Sequence, residues 1–230
     1  MLQVFDVNLV SQGRPGDPLK VFPYLLPIGR VSCACGFLNH VMCDVARASE
    51  SVARQSLARD AALPARIELQ AAWREMVTLC LETADTWGSI GQVCTHEMYN
   101  RGQMALLERH DAALENALGQ ELPPELDPDF AYHGTARLVV PTARSVALRG
   151  ETLALKIIVL DRRPVKSVTV HHRPMGGSRW QNLAATHQAR GVWQARLPRA
   201  DEDYEYYIAA ESAESQTLRW PPTAPELNHT

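Results

Sequence analysis

Cys33, Cys35, His40 and Cys43 place three thiols and one imidazole within eleven residues. Zinc is held by four ligands of this kind, so the group is the candidate metal site of the chain. The Cys-x-Cys pair is closer than the two-to-four-residue gap of common zinc knuckles, and buried or incidental cysteines are the competing reading. His96-Glu97 has the opening of a helical zinc motif, but position 100 is Asn, so a second imidazole one helical turn away is missing.

Acid–base hydrolysis needs two carboxyl groups at a fixed separation, and Asp85, Glu97 and Glu108, around the Trp87 segment, are the candidates. Carboxylates on helices are more commonly solvated surface groups. No Gly-x-Ser-x-Gly elbow, P-loop or dinucleotide fingerprint occurs, and no cofactor is expected. His171 and His172 are adjacent in a strand-like stretch, where alternation sends the two rings to opposite faces.

Sugar rings stack on exposed aromatic faces, which makes the aromatics of the second half a third candidate site. Trp193 alternates with Ala195 and Leu197, and Tyr206 with Tyr204, Ile208 and Ala210, so these two read as core. Trp180, Tyr207 and Trp220 are the expected carbohydrate-binding residues.

Such residues must be positioned by the elements around them. Leu153, Leu155, Ile157 and Val159 alternate as in a strand with one buried face. Strands are expected over 136–140, 145–148, 152–160, 167–172, 180–184, 191–197, 204–210 and 217–220, with turns at Arg162-Arg163-Pro164 and Pro174 to Gly177. Eight short strands in so few residues imply a two-sheet sandwich over 136–230. Upstream, 44–120 reads as helical: Leu69, Trp73, Met76, Val77, Cys80 and Ala84 fall on one face behind Pro64, and a later helix stops at Gly119. Residues 121–135, with Pro123, Pro124, Pro128 and Gly134, read as a linker. Residues 1–43 are punctuated by proline and glycine and are expected to form short strands and loops. The fold class is α+β and multidomain.

The chain of 230 residues is long enough for two cored units. Residues 1–134 carry 10 basic and 17 acidic side chains, whereas 135–230 carry 13 and 9, which supports a division into separate units. Basic residues are scattered, so no nucleic-acid surface is expected, and no run reaches membrane-spanning length. All five cysteines lie in the first half, and their odd number prevents complete internal pairing. The N-terminus does not read as a signal peptide. For an exported protein, the targeting segment is expected outside this sequence. The strand pattern stops at Pro221-Pro222 where a closing edge strand is expected, which reads as a fragment of something larger.

Tyr132-His133-Gly134, Val140-Pro141-Thr142, Leu155 to Asp161, Arg173 to Gly176, Arg190 to Trp193, Glu205 to Ile208 and Leu218 to Pro221 together resemble the C-terminal end of large bacterial carbohydrate-active proteins. In these, a catalytic barrel and a helical segment precede an immunoglobulin- or fibronectin-III-like sandwich. The resemblance covers roughly residues 64–230 and implies a non-catalytic accessory module that braces or positions a neighbouring glycan-active domain. A carbohydrate-binding module using Trp180, Tyr207 and Trp220 is the first alternative, and a fragment contributing part of a glycoside hydrolase active site is the second. The expected partner is a neighbouring domain or another protein, followed by polysaccharide. Membership of an exported protein would imply an extracytoplasmic location.

Overall fold

The computed structural model describes residues 22–127, 131–199, 202–214 and 216–230. They form two compact units. The helical unit takes the described residues up to Leu81 and again from Gly91, and the sandwich unit takes Glu82–Ile90 and Ala131–Thr230. The segment around Trp87 thus belongs to the sandwich unit, which the expected boundary at 121–135 does not anticipate.

Helix α1 spans Phe22–Arg47. The expectation of strands and loops for 1–43 is therefore corrected from residue 22 onward, while 1–21 lie outside the described residues. Pro27 falls early in the helix, and neither Gly29 nor Gly36 meets any neighbour that a side chain would strike. These breakers are outweighed by burial, because Val31, Ala34, Leu38, Val41 and Val45 recur at spacings of three and four and all enter the core. Helix α2 (Ser51–Leu57) runs through a π-helical turn (Ala58–Ala62) into α3 (Leu63–Thr83). From α3, Leu69, Trp73, Met76 and Cys80 face the same core. Helix α4 (Trp87–Thr95) continues as a π-helical stretch (His96–Gln103) that runs through Gly102. Helix α5 (Asp111–Leu118) ends at Gly119, whose φ of 72° closes the last turn as only glycine does readily.

Arg66 is fully buried in this unit. Its Nε donates to Asp111 Oδ1 at 2.7 Å and its Nη2 to Asp111 Oδ2 at 3.1 Å, while Nη1 reaches Gln70 Oε1 at 3.1 Å. One side chain thereby ties α3 to the start of α5.

The sandwich unit contains β1 (Arg137–Val139), β2 (Ala154–Leu160), β3 (Val165–Pro174), β4 (Gln181–Ala184), β5 (Thr186–Ala189), β6 (Val192–Arg196), β7 (Tyr204–Ser212) and β8 (Thr217–Trp220). They pair antiparallel in two sheets, β1-β2-β6-β5 and β4-β3-β7-β8. Leu155, Ile157, Val159 and Ala195 from one sheet and Val168, Val170, Tyr206, Ile208 and Ala210 from the other form a single core. The strand expected at 145–148 is absent, with Val146 and Leu148 each 78% exposed. Instead β5 is added at the sheet edge. Its four residues are all exposed, so no alternation marks it in the sequence. Its partner β6 follows a tight turn in which Arg190 has φ of 50°.

Glu82–Ile90 packs as part of this unit. Thr135 N donates to Glu82 Oε1 at 2.7 Å, Arg137 Nη1 donates to the Glu82 carbonyl, and the Lys156 ammonium lies 4.9 Å from the Trp87 ring centre. No helix among the described residues is long and apolar enough to cross a membrane.

Candidate functional site

Strand β3 sends Val168, Val170 and His172 inward, so Thr169, His171 and Arg173 face outward. The ladder register places Tyr207 and Asn182 on either side of His171, and Glu205 opposite Arg173. Cross-strand pairing therefore gathers residues from three strands on the outer face of the second sheet. Trp180, immediately before β4, completes the set.

The His171 and Tyr207 rings stack with centres 4.4 Å apart and planes 9° from parallel. Trp180 meets Tyr207 edge-on at 4.9 Å, and the Arg173 guanidinium lies 4.2 Å from the Trp180 ring centre. Stacking and cation–π contact of this kind favour one arrangement of the rings. His171 Nδ1 donates to Asn182 Oδ1 at 2.8 Å, which fixes the tautomer. Burial lowers the His171 pKa and Arg219 adds to this, outweighing the Asn182 bond, so the imidazole is uncharged at neutral pH.

Glu205 anchors the margin of the array. Its Oε1 accepts from Arg173 Nε at 2.8 Å and its Oε2 from Asn228 Nδ2 at 2.7 Å. Burial pushes the carboxyl up, but these two donors outweigh it and hold the pKa below the ordinary 4.5. A lowered carboxyl pKa stabilises the folded state fully above the ordinary value and loses that contribution as pH falls through the folded value. Urea unfolding of the wild type is thus expected to weaken from pH 7 to pH 3.5 by more than that of Glu205→Gln. Equal pH dependence in the two proteins would contradict the assignment.

Of the expected carbohydrate-binding residues, the structure brings Trp180 and Tyr207 together and separates Trp220 from them. Trp220 pairs with Ile208 and so points to the core side, with its ring centre 6.1 Å from Tyr206 and 5.0 Å from His229. Trp193 and Tyr206 pack with the core as expected.

The cysteine group does not converge. Cys33, Cys35 and Cys43 are free thiols on α1, where about 100° of rotation per residue sends Cys33 and Cys35 to different faces. Cys33 and Cys43 are exposed, Cys35 lies 3.7 Å from Asn39 Nδ2, and His40 Nε2 is 3.8 Å from Asp44. Among the described residues, no group of three or more His, Cys, Asp or Glu side chains is placed to hold a metal ion.

Glu97 is committed to structure: Oε1 accepts from the Trp73 indole at 2.9 Å and Oε2 from Arg101 Nε at 3.0 Å. His96 Nδ1 pairs with Asn100 Nδ2 at 3.0 Å, so the residue that breaks the zinc motif serves as its hydrogen-bond partner. Asp85 belongs to the sandwich unit, whereas Glu97 and Glu108 belong to the helical unit.

Sequence reasoning misses His171, Arg173, Asn182 and Glu205 as members of the outer array. Their parity relative to Val168 and Val170 marks them as outward-facing, but only the register between strands reveals that they meet. The chain matches no protein-family model and no curated protein sequence.

Proposed function

We propose that the chain is a non-catalytic accessory module of a larger carbohydrate-active protein, and that the outer face of the β4-β3-β7-β8 sheet contacts glycan. The observation that carries this reading is the ordered array of Trp180, Tyr207, His171, Arg173 and Asn182, in which aromatic rings and polar groups lie side by side as sugar recognition requires. The commitment of Glu97 to Trp73 and Arg101 supports a role other than catalysis.

The strand order supports the immunoglobulin- or fibronectin-III-like interpretation. Lettering the strands so that β1, β2, β6 and β5 become A, B, E and D leaves C′, C, F and G for β4, β3, β7 and β8, which is the sheet partition of that architecture. Such sandwiches serve many roles, so the functional proposal rests on the array and not on the fold.

Titration calorimetry against a panel of soluble polysaccharides tests the proposal. Saturable binding is expected, weakened about tenfold in Trp180→Ala and in Tyr207→Ala, a change of roughly 1.4 kcal/mol, with an unchanged circular dichroism spectrum. Binding unaffected by both substitutions would remove the outer face as the contact surface. Turnover of aryl glycosides that disappears in Glu97→Gln would remove the non-catalytic reading. A purely bracing role, in which the sandwich positions a neighbouring domain, is the second reading. It is favoured by the stacking of the rings on one another, since His171 already covers one face of Tyr207.

A further inference from the structure

Strand β8 is the outer strand of its sheet, and no described residue pairs along its far side. Ser212 N donates to the Gln216 carbonyl at 3.0 Å, and the register continues with Ala210 opposite Leu218 and Ile208 opposite Trp220. Bonded and non-bonded pairs alternate in an antiparallel ladder, so Leu218 and Trp220 turn their backbone groups toward β7. Thr217 and Arg219 therefore turn theirs outward. The edge ends just beyond them, because Pro221 has no N–H and His229 pairs with Tyr206 further on.

Between β8 and β1 lies a cleft of about 740 Å³ whose walls include Leu138, Val140, Ala143, Leu218 and Trp220. Leu138 and Val140 are core residues, and Leu218 and Trp220 pack against the same core. Apolar surface thus continues from the core to the seam between the two sheets. On the outer face the side chains are charged instead. Arg219 is exposed and has no hydrogen-bond or ion-pair partner among the described residues. Glu211, opposite Thr217, is also exposed, and its one described donor is Ser167 Oγ at 3.4 Å.

A strand added at this edge continues the sheet, and its alternation must send apolar groups into the cleft and charges to the outer face. Strand β8 of a second copy meets both conditions. With the two strands antiparallel about a twofold axis at Leu218, Thr217 lies opposite Arg219 of the copy, and the two Leu218 side chains meet over the clefts. The outward N–H and C=O groups of Thr217 and Arg219 are then exchanged between the copies. Arg219 of the copy lies two strand spacings, about 10 Å, from Glu211 across Thr217, within reach of two long side chains. Arg219 and Glu211 of one copy are diagonal neighbours, so each guanidinium lies between two carboxylates. A register that sets the two Arg219 residues opposite each other would bring like charges together and place Pro221 where a donor is needed.

We propose that β8 pairs with β8 of a second copy of this chain, Thr217 against Arg219, and joins two four-stranded sheets into one. The proposal goes beyond the glycan-contacting reading and does not depend on it. The joined sheet carries both Tyr207 side chains on one side.

Analytical ultracentrifugation of the full chain is expected to show a mass that rises with concentration from that of one chain to that of two. Backbone amide exchange followed by NMR over the same concentrations is expected to slow about tenfold or more at Thr217 and Arg219, while Leu218 and Trp220, bonded to β7, stay slow throughout. Arg219→Glu is expected to weaken association about tenfold or more, and the exchange Arg219→Glu with Glu211→Arg to restore it to within about threefold. Thr217→Pro removes an outward N–H, a change that an edge strand tolerates, and is expected to abolish association with an unchanged circular dichroism spectrum. A chain that stays monomeric up to about 1 mM would overturn the proposal. So would a dimer that persists in both Thr217→Pro and Arg219→Glu, or amides at Thr217 and Arg219 that are already protected in the monomer.

Discussion

Asp111→Ala is expected to destabilise the helical unit by about 3–5 kcal/mol, measured as a fall in the urea midpoint followed by helical circular dichroism. Arg66 has no exposed surface, whereas Asp111 retains 22% of its side-chain exposure. Removing the carboxylate leaves a guanidinium in the core with, among the described residues, only Gln70 and, at 3.4 Å, the Leu126 carbonyl as acceptors. An unpartnered buried charge costs more than the pair contributes, because arginine does not shed its proton at accessible pH. Asp111 also opens α5, where a negative charge interacts favourably with the helix terminus. The double variant Arg66→Met, Asp111→Leu removes both charges and is expected to recover most of the loss, giving a coupling that the two single variants do not sum to. A loss below about 1 kcal/mol in Asp111→Ala would mean that Arg66 is accommodated without its partner.

Gly191→Ala is expected to destabilise the sandwich unit by about 2–3 kcal/mol, read from the urea midpoint followed by tryptophan fluorescence, since Trp87, Trp180, Trp193 and Trp220 all lie in that unit. A Cβ at this position would lie 2.4 Å from the Val159 carbonyl oxygen. The obstacle is backbone, not the mobile end of a side chain, so relief requires moving a strand. That strand is held in place, since Val159 N donates to Gly191 O at 2.8 Å and Ile158 pairs with Val192. Displacement would also disturb the ladder that carries Ile157, a fully buried residue at the centre of the core. Tolerance of alanine at 191 with an unchanged midpoint would show that β2 and β6 can separate at this end without loss.

Legibility followed the strength of the local pattern. Strand β2 was readable because Leu155, Ile157 and Val159 alternate with less buried neighbours, and β3 and β7 because Val168, Val170, Ile208 and Ala210 keep the same period. Strand β5 was not, because Thr186–Ala189 buries nothing and exists through its hydrogen bonds to β6. Conversely, Val146 and Leu148 have the alternation of a strand without a surface to cover. In the helical unit the prolines at 23 and 27 and the glycines at 29 and 36 obscured α1. The periodic stripe from Val31 to Val45 was the stronger physical signal, since burial of a continuous face outweighs a few poor helix formers.

The site was legible only in part, for a reason of geometry. Parity within one strand tells which side chains share a face, and this sufficed for Trp193 and Tyr206. It does not tell which residue of another strand lies opposite. Trp220 is separated from Trp180 and Tyr207 by its register against Ile208, and His171, Arg173 and Asn182 join them by theirs.

The passage of Glu82–Ile90 into the sandwich unit has a consequence for the order in which the protein is made. A chain emerging from the ribosome presents this segment before any strand of the sandwich exists. Its partners Thr135, Arg137 and Lys156 follow roughly fifty to seventy residues later, at synthesis rates of about 5–20 residues per second. For several seconds Glu82 and Trp87 lack the groups they contact in the folded chain, while the helices on either side of them can already pack. The sandwich is therefore finished only when new strands capture a segment laid down well before them, and a nascent chain beginning at Ala131 would lack that segment altogether.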